Sequence, residues 1–412
     1  MKESALTDRC LQGLDQTRMC LLRNSMKCAA RASLALAILP VPSDSVSCAE
    51  LPLQEYDRHL VSSTGSERAT SGAGGKIVTF AGKTHVVWQD ATAEGAYLNR
   101  VRSFDHASET WSAPVTLNQG RDNHARPVLT VDEFGFLHVV LSGHNSAVTY
   151  RRSLKPNDAS QWTEPESAGS GTYPALVAGK GGILHLTLRN PRRWNGVDLH
   201  VKRRDGKWEK QGQLVVRDSE LNGYGAFHNG LAWGPNHQTL HLVQDFYESN
   251  DVMHQRGVHQ AVCYMRSRDG GRTWEKADKT KIVLPARPEQ MDILARSRGK
   301  RHEPMPPPVI LAQGSILVDA DDRPHVLYIS HLEKPGQAMH ATTDDSGGWQ
   351  QKSSDVLVEA YPNHRPIGCR GSWSIDSNGT MYGLLELVPY PAGWVQGKPS
   401  RAIRFSTTRK LW

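Results

Sequence analysis

An all-β fold, arranged as a single β-propeller, is the fold class that the sequence predicts. A phrase recurs along the chain, in which a turn rich in Asp and Gly precedes a His or Tyr and an apolar, β-branched run. The copies are FAGKTHVVW (80–88), EFGFLHVVL (133–141), KGGILHLTL (180–188), PNHQTLHLV (235–243), DDRPHVLYI (321–329) and SNGTMYGLL (377–385). Repeats separated by tens of residues are typical of propeller blades, each of which is a four-stranded antiparallel sheet. Counting these copies predicts six blades.

A tryptophan closes each repeat, and the fullest closing phrase, SRDGGRTW, covers residues 267–274. It resembles the Asp-box of sialidase-type propellers. The other closing tryptophans are Trp111, Trp162, Trp208, Trp349 and Trp412. An Asp carboxylate can accept backbone N–H bonds in a tight turn, while neighbouring glycines adopt positive φ angles. We therefore predict that Asp269 is structural, and that the box indicates the fold and not the activity.

The regular repeats predict one domain over residues 50–412, preceded by a leader over residues 1–49. From Met26, an alternative start of the protein, a basic stretch precedes the apolar run 32–39 and the small residues 47–49. This order is typical of an export signal, so we expect a secreted or periplasmic protein. Residues 50–412 contain no run of about 20 apolar residues, so no membrane span is expected.

The formal net charge of +7 includes the basic leader, and the remaining excess is still positive. A basic exported propeller suits an anionic polymer as its partner, here an anionic polysaccharide. Nucleic acid is disfavoured, because no stripe of Lys and Arg alternates with stacking aromatic residues. We expect the protein to act as a monomer.

Four of the six cysteines belong to the leader, which leaves Cys263 and Cys369 in the domain. Two interpretations of this pair remain open. The cysteines form one disulfide or stay as two buried thiols, or they join His259 and His364 in a structural zinc site.

Functional residues are expected where the repeats differ from one another. The start of a blade's first strand and the end of its second strand lie side by side at one rim. The strand starts carry His124, Tyr173, His228 and Arg370, and the strand ends carry Asp90, His144, Arg189, Asp245, Tyr247 and His331. So many titratable groups at one rim predict a ligand site near the propeller axis. By contrast, His85, His138, His185, His241 and His325 recur at one position of the repeat, so we expect them to be structural.

These rim residues suit β-elimination at a uronic acid. That reaction needs a cation near the C6 carboxylate, a base for the C5 proton and an acid for the leaving glycosidic oxygen. Arg189 suits the first role, because a guanidinium can hold a carboxylate through two hydrogen bonds. His124 and Tyr173 suit the two proton transfers, without a decision on which is the base. His144 would orient the base or bind the carboxylate, and the chemistry requires no cofactor.

Two alternative functions compete with a lyase. A sialidase-like glycoside hydrolase is disfavoured because the F/Y-R-I-P signature is absent, and other glycosidases need two carboxylates at a defined separation. A non-catalytic carbohydrate-binding propeller would belong to a different functional class.

The block 122–190, with its NHARP, SGHN, GTYPALV and LTLRN segments, resembles the BNR-repeat propeller polysaccharide lyases that degrade ulvan. In those enzymes a catalytic His precedes a blade, a second His lies in S-G-H-N, a Tyr begins the next blade and an Arg ends its second strand. The order and spacing match at His124, His144, Tyr173 and Arg189.

The resemblance implies seven blades, one more than the repeats show, and a structural metal such as Zn or Ca. It also implies a tyrosine in the substrate cleft, for which Tyr224 and Tyr247 compete, with Tyr224 preferred. The expected substrate contacts are Asn123, Arg126, Asn145, Tyr224, His228 and Tyr247. Further basic side chains that could contact sulfates are Arg192, Arg193, Lys202, Arg203 and Arg204.

Overall fold

The structure is a computed structural model. It describes residues 59–66, 68–69, 74–141, 143–191, 195–217, 224–248, 258–297, 309–332, 336–353, 363–368, 373–376, 378–389 and 401–407. The predicted leader, 1–49, lies outside these ranges.

Within these ranges the chain forms five antiparallel sheets and two short 3₁₀ helices, Lys180–Gly182 and Pro288–Gln290. The first sheet contains β1 (Ile77–Phe80), β2 (Lys83–Ala91), β3 (Tyr97–Asp105), β4 (Thr110–Trp111) and β5 (Val115–Gly120). The second contains β6 (Pro127–Val131), β7 (Leu137–Leu141), β8 (Ser146–Arg152), β9 (Glu166–Ala178), β10 (Leu184–Arg189), β11 (Gly196–Lys202) and β12 (Trp208–Val216). The third contains β13 (Gly225–Trp233), β14 (Leu240–Glu248), β15 (Val258–Ser267), β16 (Trp274–Glu275), β17 (Lys281–Ile282) and β18 (Asp292–Arg296). The fourth contains β19 (Val309–Val318), β20 (Pro324–Ser330), β21 (Gln337–Thr343) and β22 (Trp349–Ser353). The fifth contains β23 (His364–Gly368), β24 (Trp373–Ile375), β25 (Met381–Pro389) and β26 (Arg401–Thr407).

The apolar run of each repeated phrase forms an inner strand of a sheet. These strands are β2, β7, β10, β14, β20 and β25. These strands are apolar without strict alternation. In β7, Leu137 and Val139 pack in one buried cluster and Val140 packs in another, so both faces of the strand are covered. All six residues of β10, for example, are buried. The all-β class predicted from the repeats is therefore confirmed, while the number of blades stays a prediction.

The core lies between successive sheets. Leu199 of the second sheet packs with Phe227, Leu242 and Trp274 of the third, and all four are buried. The long strand β9 joins two meanders, because its first part pairs with β8 and its second part pairs with β10. This pairing brings β6 to β12 into one continuous sheet and places the ends of several inner strands at one rim.

The Asp-box has the structural role that the sequence predicts. Asp269 Oδ1 accepts hydrogen bonds from the backbone N–H groups of Arg272 and Thr273 at 3.1 and 2.9 Å. Gly270 and Gly271 have φ angles of +73° and +91°, and Trp274 is 1% exposed. The carboxylate is used within its own turn, so it has no catalytic role.

The histidines of the repeated phrase are also structural. His138, for example, is buried and hydrogen-bonded to Tyr150 Oη at 2.6 Å and to Asp132 at 3.1 Å. The equivalent His85, His185, His241 and His325 are likewise buried and hydrogen-bonded. Recurrence at one position correctly indicated a packing role.

Candidate active site

Asp122 joins two of the predicted catalytic histidines. One carboxylate oxygen accepts the Nδ1–H of His124 at 2.7 Å, and the other accepts the Nδ1–H of His144 at 2.8 Å. The same carboxylate accepts the backbone N–H of His124 at 2.8 Å, as expected for an Asp that begins a tight turn. Both rings are thereby fixed with Nδ1 protonated, so each Nε2 carries a lone pair when the ring is neutral.

The two imidazoles stack with their centres 4.3 Å apart and their planes 24° from parallel. Burial lowers the pKa of His124, and electrostatic contributions from Arg68 and His144 act in the same direction, while the hydrogen bond to Asp122 opposes the shift. Burial raises the pKa of Asp122, but the hydrogen bonds from His124 and His144 outweigh it and hold the value at about 2. His124 is therefore a neutral base beside an ionised carboxylate near neutral pH.

Buried amides hold this turn from behind. The Gln89 and Asn99 side chains donate hydrogen bonds to the Ala125 carbonyl at 3.2 and 2.9 Å. Both side chains are almost fully buried. The turn that carries Asp122 and His124 is thus anchored to the first sheet.

Tyr173 enters the site through a β-bulge. The register between β9 and β10 shifts between Thr187 and Arg189, and Tyr173 has a φ angle of 55°. A bulky residue rarely adopts this left-handed conformation, which costs of the order of 1–3 kcal/mol and is typical of functional positions. The bulge brings the Tyr173 hydroxyl to 3.2 Å from the Tyr224 hydroxyl.

Arg189, the last residue of β10, is fully buried beneath this tyrosine pair. Its Nη1 donates to Tyr224 Oη at 2.7 Å, and its Nη2 donates to Asn145 Oδ1 at 2.8 Å. Its guanidinium carbon lies 4.5 Å from the centre of the Tyr173 ring. The expected direct contact between Arg189 and a substrate carboxylate does not fit this geometry, because the guanidinium has no exposed surface. The guanidinium instead contacts Asn145, Tyr224 and the Tyr173 ring.

Asn145 links the Arg189 cluster to the histidine cluster, since it follows His144 in the chain. Its φ angle of 55° is tolerated by asparagine, and its backbone N–H donates to Thr172 Oγ1 at 2.8 Å. The hydrogen bond from Arg189 requires the Asn145 oxygen to face the guanidinium, so the amide nitrogen is the atom that remains for a ligand.

Two more predicted contacts, His228 and Arg126, lie beside Tyr173. The His228 ring meets the Tyr173 ring edge to face at 4.4 Å, and the Arg126 guanidinium lies 5.8 Å from the same ring. Burial, followed by His259, Arg126 and Arg189, lowers the pKa of His228 to about 3, so this imidazole is neutral.

Both tyrosines that compete for the cleft position lie beside Tyr173. The rings of Tyr224 and Tyr247 are 6.1 Å apart. Tyr224 makes the direct hydrogen bonds to Tyr173 and Arg189, which favours Tyr224 over Tyr247 for the cleft position. Burial and the neighbouring Tyr173 raise the pKa of Tyr224. Asn123 lies in the turn between Asp122 and His124.

Some predicted contacts lie elsewhere. Lys202 is the last residue of β11 and pairs with the first residue of β10, and Arg203 and Arg204 follow it. All three therefore lie at the end of the strands opposite Arg189. Arg192, Arg193 and Arg370 are outside the described residues.

Two of the proposed zinc ligands, His259 and Cys263, are not brought together. His259 Nδ1 donates to the buried Asp245 carboxylate at 2.8 Å. Cys263, a buried free thiol, follows four residues later on the same strand, roughly 13 Å away at the usual rise per residue. One ion cannot bind both residues. His364 begins β23, and Cys369 lies outside the described part of the chain.

A different set, Asp122, His124 and His144, places its potential ligand atoms within 4.8 Å of one another. Among the described residues it is the group close enough to share a metal ion. Both Nδ1 atoms are already bound to Asp122, so hydrogen bonds account for this arrangement.

Sequence reasoning missed two residues of the site, Asp122 and Thr172. The sequence does contain a signal for Asp122. An Asp at the start of a turn often accepts the backbone N–H of the residue two positions later, which here is His124. Thr172 Oγ1 binds Asn145 and Arg189, but nothing in its local sequence distinguishes it.

The repeated antiparallel meanders define a repeat-built, all-β class of protein. A family described as BNR repeat-containing matches residues 83–356, more than half of the sequence, and the chain belongs to this family. It is 20% identical over 303 residues to "Ulvan Lyase-PL25" of Pseudoalteromonas sp. (strain PLSV), covering 63% of this chain and 60% of that protein. It is 22% identical over 287 residues to an ulvan lyase of Nonlabens ulvanivorans, covering 60% of this chain and 57% of that protein.

A solved PL25 ulvan lyase bound to "-[GlcA(1-4)Rha3S]-" has the same fold, with a TM-score of 0.60 and 17% identity over 82% of each chain. The chain thus spans about 60% of the length of the two curated ulvan lyases above. Among the residues that the structure describes, no helix is long and apolar enough to cross a membrane.

Proposed function

We propose that this protein is a polysaccharide lyase that cleaves a uronate-containing, sulfated polysaccharide of the ulvan type by β-elimination. The observation that carries the proposal is the pairing of two units at one rim. One is the His124 imidazole oriented by Asp122, and the other is the Tyr173 phenol above the buried Arg189 guanidinium. The ulvan lyases among the relatives support the same reaction class.

His124 is the base that removes the C5 proton. Its Nδ1–H is bound to Asp122, so Nε2 is the atom that accepts the proton. Burial lowers the pKa of His124, which keeps the base neutral at lower pH than an ordinary imidazole. The Asp122 charge then stabilises the imidazolium that forms, as the aspartate of a catalytic triad does.

Asn145 is the group that meets the C6 carboxylate. Removing the C5 proton moves negative charge onto that carboxylate, and a fixed amide N–H donor stabilises it there. The Arg189 guanidinium holds the Asn145 oxygen at 2.8 Å, which orients the amide and strengthens its donor.

Tyr173 is the acid. The electron pair from the C5–H bond forms the C4–C5 double bond, the C4–O bond breaks, and the Tyr173 hydroxyl protonates the leaving oxygen. The phenolate that remains is stabilised by the guanidinium 4.5 Å from its ring and by the Tyr224 hydroxyl at 3.2 Å. Proton exchange with water restores His124 and Tyr173.

The bound glucuronate and 3-sulfated rhamnose of the solved relative suggest the same repeating unit for this chain. We also propose that the sheets are blades of a propeller, six of which contain described strands, with a seventh implied by the resemblance. Export and a monomeric state belong to the same proposal.

The test is ultraviolet absorbance over time, with the purified protein on ulvan, glycosaminoglycans, alginate and pectin. An elimination creates an absorbing unsaturated end, so absorbance should rise on ulvan and stay flat for His124→Ala. New reducing ends without absorbance would instead indicate a hydrolase. Binding to ulvan without either product would indicate a carbohydrate-binding protein.

A further inference from the structure

A second concave site lies between the second and third sheets. It is a cavity of about 610 Å³, a size typical of ligand pockets. Its walls include Lys180, Arg203, Trp233, Arg268 and Arg272. None of these residues belongs to the candidate active site.

The cavity and the active site lie at opposite ends of the same strands. On β13, His228 lies at the active site and Trp233 at the cavity, and five residues of a strand span roughly 17 Å. On β10, Arg189 lies at the active site, and His185 lines the cavity near the preceding hairpin turn. A ligand in the cavity therefore leaves the catalytic groups free.

The charge around the cavity is predominantly positive. Lys180 is exposed, and the Arg203 side chain is 71% exposed with a long 3.5 Å contact to Glu209. Arg268 is paired with Glu275 at 3.0 Å. The one carboxylate in the walls, Asp269, accepts hydrogen bonds within the Asp-box. Four cationic side chains thus line the cavity together with a single carboxylate that is already engaged.

Trp233 gives the cavity a rigid aromatic surface. Its ring meets the buried His185 ring edge to face at 5.1 Å, and its indole edge lies beside the Gly179 backbone. A Cβ at Gly179 would lie 3.0 Å from the indole, so the close approach depends on the glycine. The half-buried ring keeps one part available to the cavity. An immobilised indole beside several cations is a suitable surface for a sugar ring that carries anionic groups.

We propose that this cavity is a second binding site for anionic polysaccharide, which takes a segment of chain separate from the segment being cleaved. Sulfate or carboxylate groups would bind Lys180 and Arg203, and a sugar ring would pack on Trp233. The identity of the polymer rests on the proposed function. A second contact raises the effective concentration of a long polymer at the active site and leaves short substrates unaffected.

The test compares two double variants. Lys180→Gln with Arg203→Gln removes two exposed charges of the cavity without altering the Asp-box. Lys155→Gln with Lys279→Gln removes two exposed charges elsewhere and is the matched control. Exposed charge contacts contribute only modestly to binding, so the cavity variant should bind polymeric ulvan roughly fivefold more weakly.

Binding is measured by electrophoresis in gels that contain ulvan, and activity is measured on the polymer and on a short ulvan oligosaccharide. The cavity variant should show a raised KM on the polymer, an unchanged kcat, and unchanged activity on the oligosaccharide. Equal binding by the two double variants would overturn the proposal. So would a loss of oligosaccharide activity, or an equal loss of binding to DNA, since the latter would indicate a nonspecific polyanion surface.

The binding measurement does not depend on cleavage. If the protein binds ulvan through Lys180 and Arg203 but releases no unsaturated product, the result would contradict the proposed lyase activity and support the proposed second binding site. If both double variants cleave ulvan equally well and with equal KM, the result would support the proposed lyase activity and contradict the proposed second binding site.

Discussion

The Arg189 guanidinium lies 4.5 Å from the centre of the Tyr173 ring, and no part of it reaches solvent. A buried charge is expensive unless hydrogen bonds satisfy it, and here Tyr224 and the Gly225 carbonyl accept from Nη1, while Asn145 and Thr172 accept from Nη2. The buried Nε has no partner among the described residues. The molecule therefore bears a substantial desolvation cost to keep a permanent cation under a phenol. In the proposed reaction this cation stabilises the phenolate and orients the amide that meets the substrate.

Replacing Arg189 by lysine should lower kcat about 10²-fold. Lysine keeps the positive charge, but it lacks the planar fork that holds Asn145 and Tyr224 together. Arg151→Lys is the matched control, because Arg151 also donates to two carbonyls, those of Thr163 and Leu117, away from the site. Initial rates from ultraviolet absorbance measure the effect. Activity within a few-fold of the wild type in Arg189→Lys would contradict the role of the fork.

Asp122→Asn should lower kcat by about 10² to 10⁴-fold, because the amide no longer fixes the His124 tautomer or stabilises its imidazolium. The fold should persist, since the turn can still form. Asp132→Asn removes a similar Asp–His pair at the structural His138, so it should lower stability and leave kcat nearly unchanged. Equal rates in the two variants would show that Asp122 has no special function.

The two tyrosines should differ in their effects on catalysis. Tyr173→Phe removes the proposed acid and should lower kcat by at least 10²-fold. Tyr224→Phe removes a supporting hydrogen bond and should cost about tenfold. A substrate with a good leaving group needs little acid catalysis, so it should restore much of the activity of Tyr173→Phe and little of that of Asp122→Asn. The opposite pattern of rescue would assign the acid role to another group.

The all-β class, and the position at one rim of most residues of the candidate active site, could be predicted from sequence, because they follow from local pattern. The apolar phrases marked the inner strands, and the rule for strand starts and ends placed His124, His144, Tyr173 and Arg189 at one rim. The local pattern does not specify how deeply each of these side chains is buried. A strand-end residue can face solvent or lie under its neighbours, and the bulge at Tyr173 decides this for Arg189.

The zinc prediction illustrates a second limit of sequence reasoning. His259 and Cys263 are close in sequence, but an extended strand separates residues by about 3.3 Å each, so near neighbours in the chain are far apart in space. Asp122 shows the converse, since it binds His144 from 22 positions away in the chain. That contact depends on how two loops meet, which no local pattern specifies.

Acid should destabilise the protein well before its carboxylates titrate. Burial lowers the pKa of His340 to about 3, with His325 and Lys352 adding to the shift, and burial lowers that of His331 to about 4, with Arg365 and His259 adding. The ordinary value is 6.5, so below that pH the unfolded chain binds more protons than the folded one. The contribution of these two histidines to the free energy of unfolding is therefore fully present above about pH 6.5, and it is lost as the pH drops towards 4. Each such histidine contributes up to about 1.4 kcal/mol per pH unit in this window.

Urea unfolding at pH 7.0, 6.0 and 5.0 measures this slope. The low pKa of Asp122, about 2, adds its own loss only below the ordinary carboxyl value of 3.8. The raised pKa of the buried Asp245 acts in the opposite sense, since the folded state then binds the proton first.

His340→Gln keeps a hydrogen-bonding partner for His325 and removes one titrating group, so it should reduce the slope of the unfolding free energy against pH. An unfolding free energy that stays constant from pH 7 to pH 5 would show that these histidines are not held neutral by the fold.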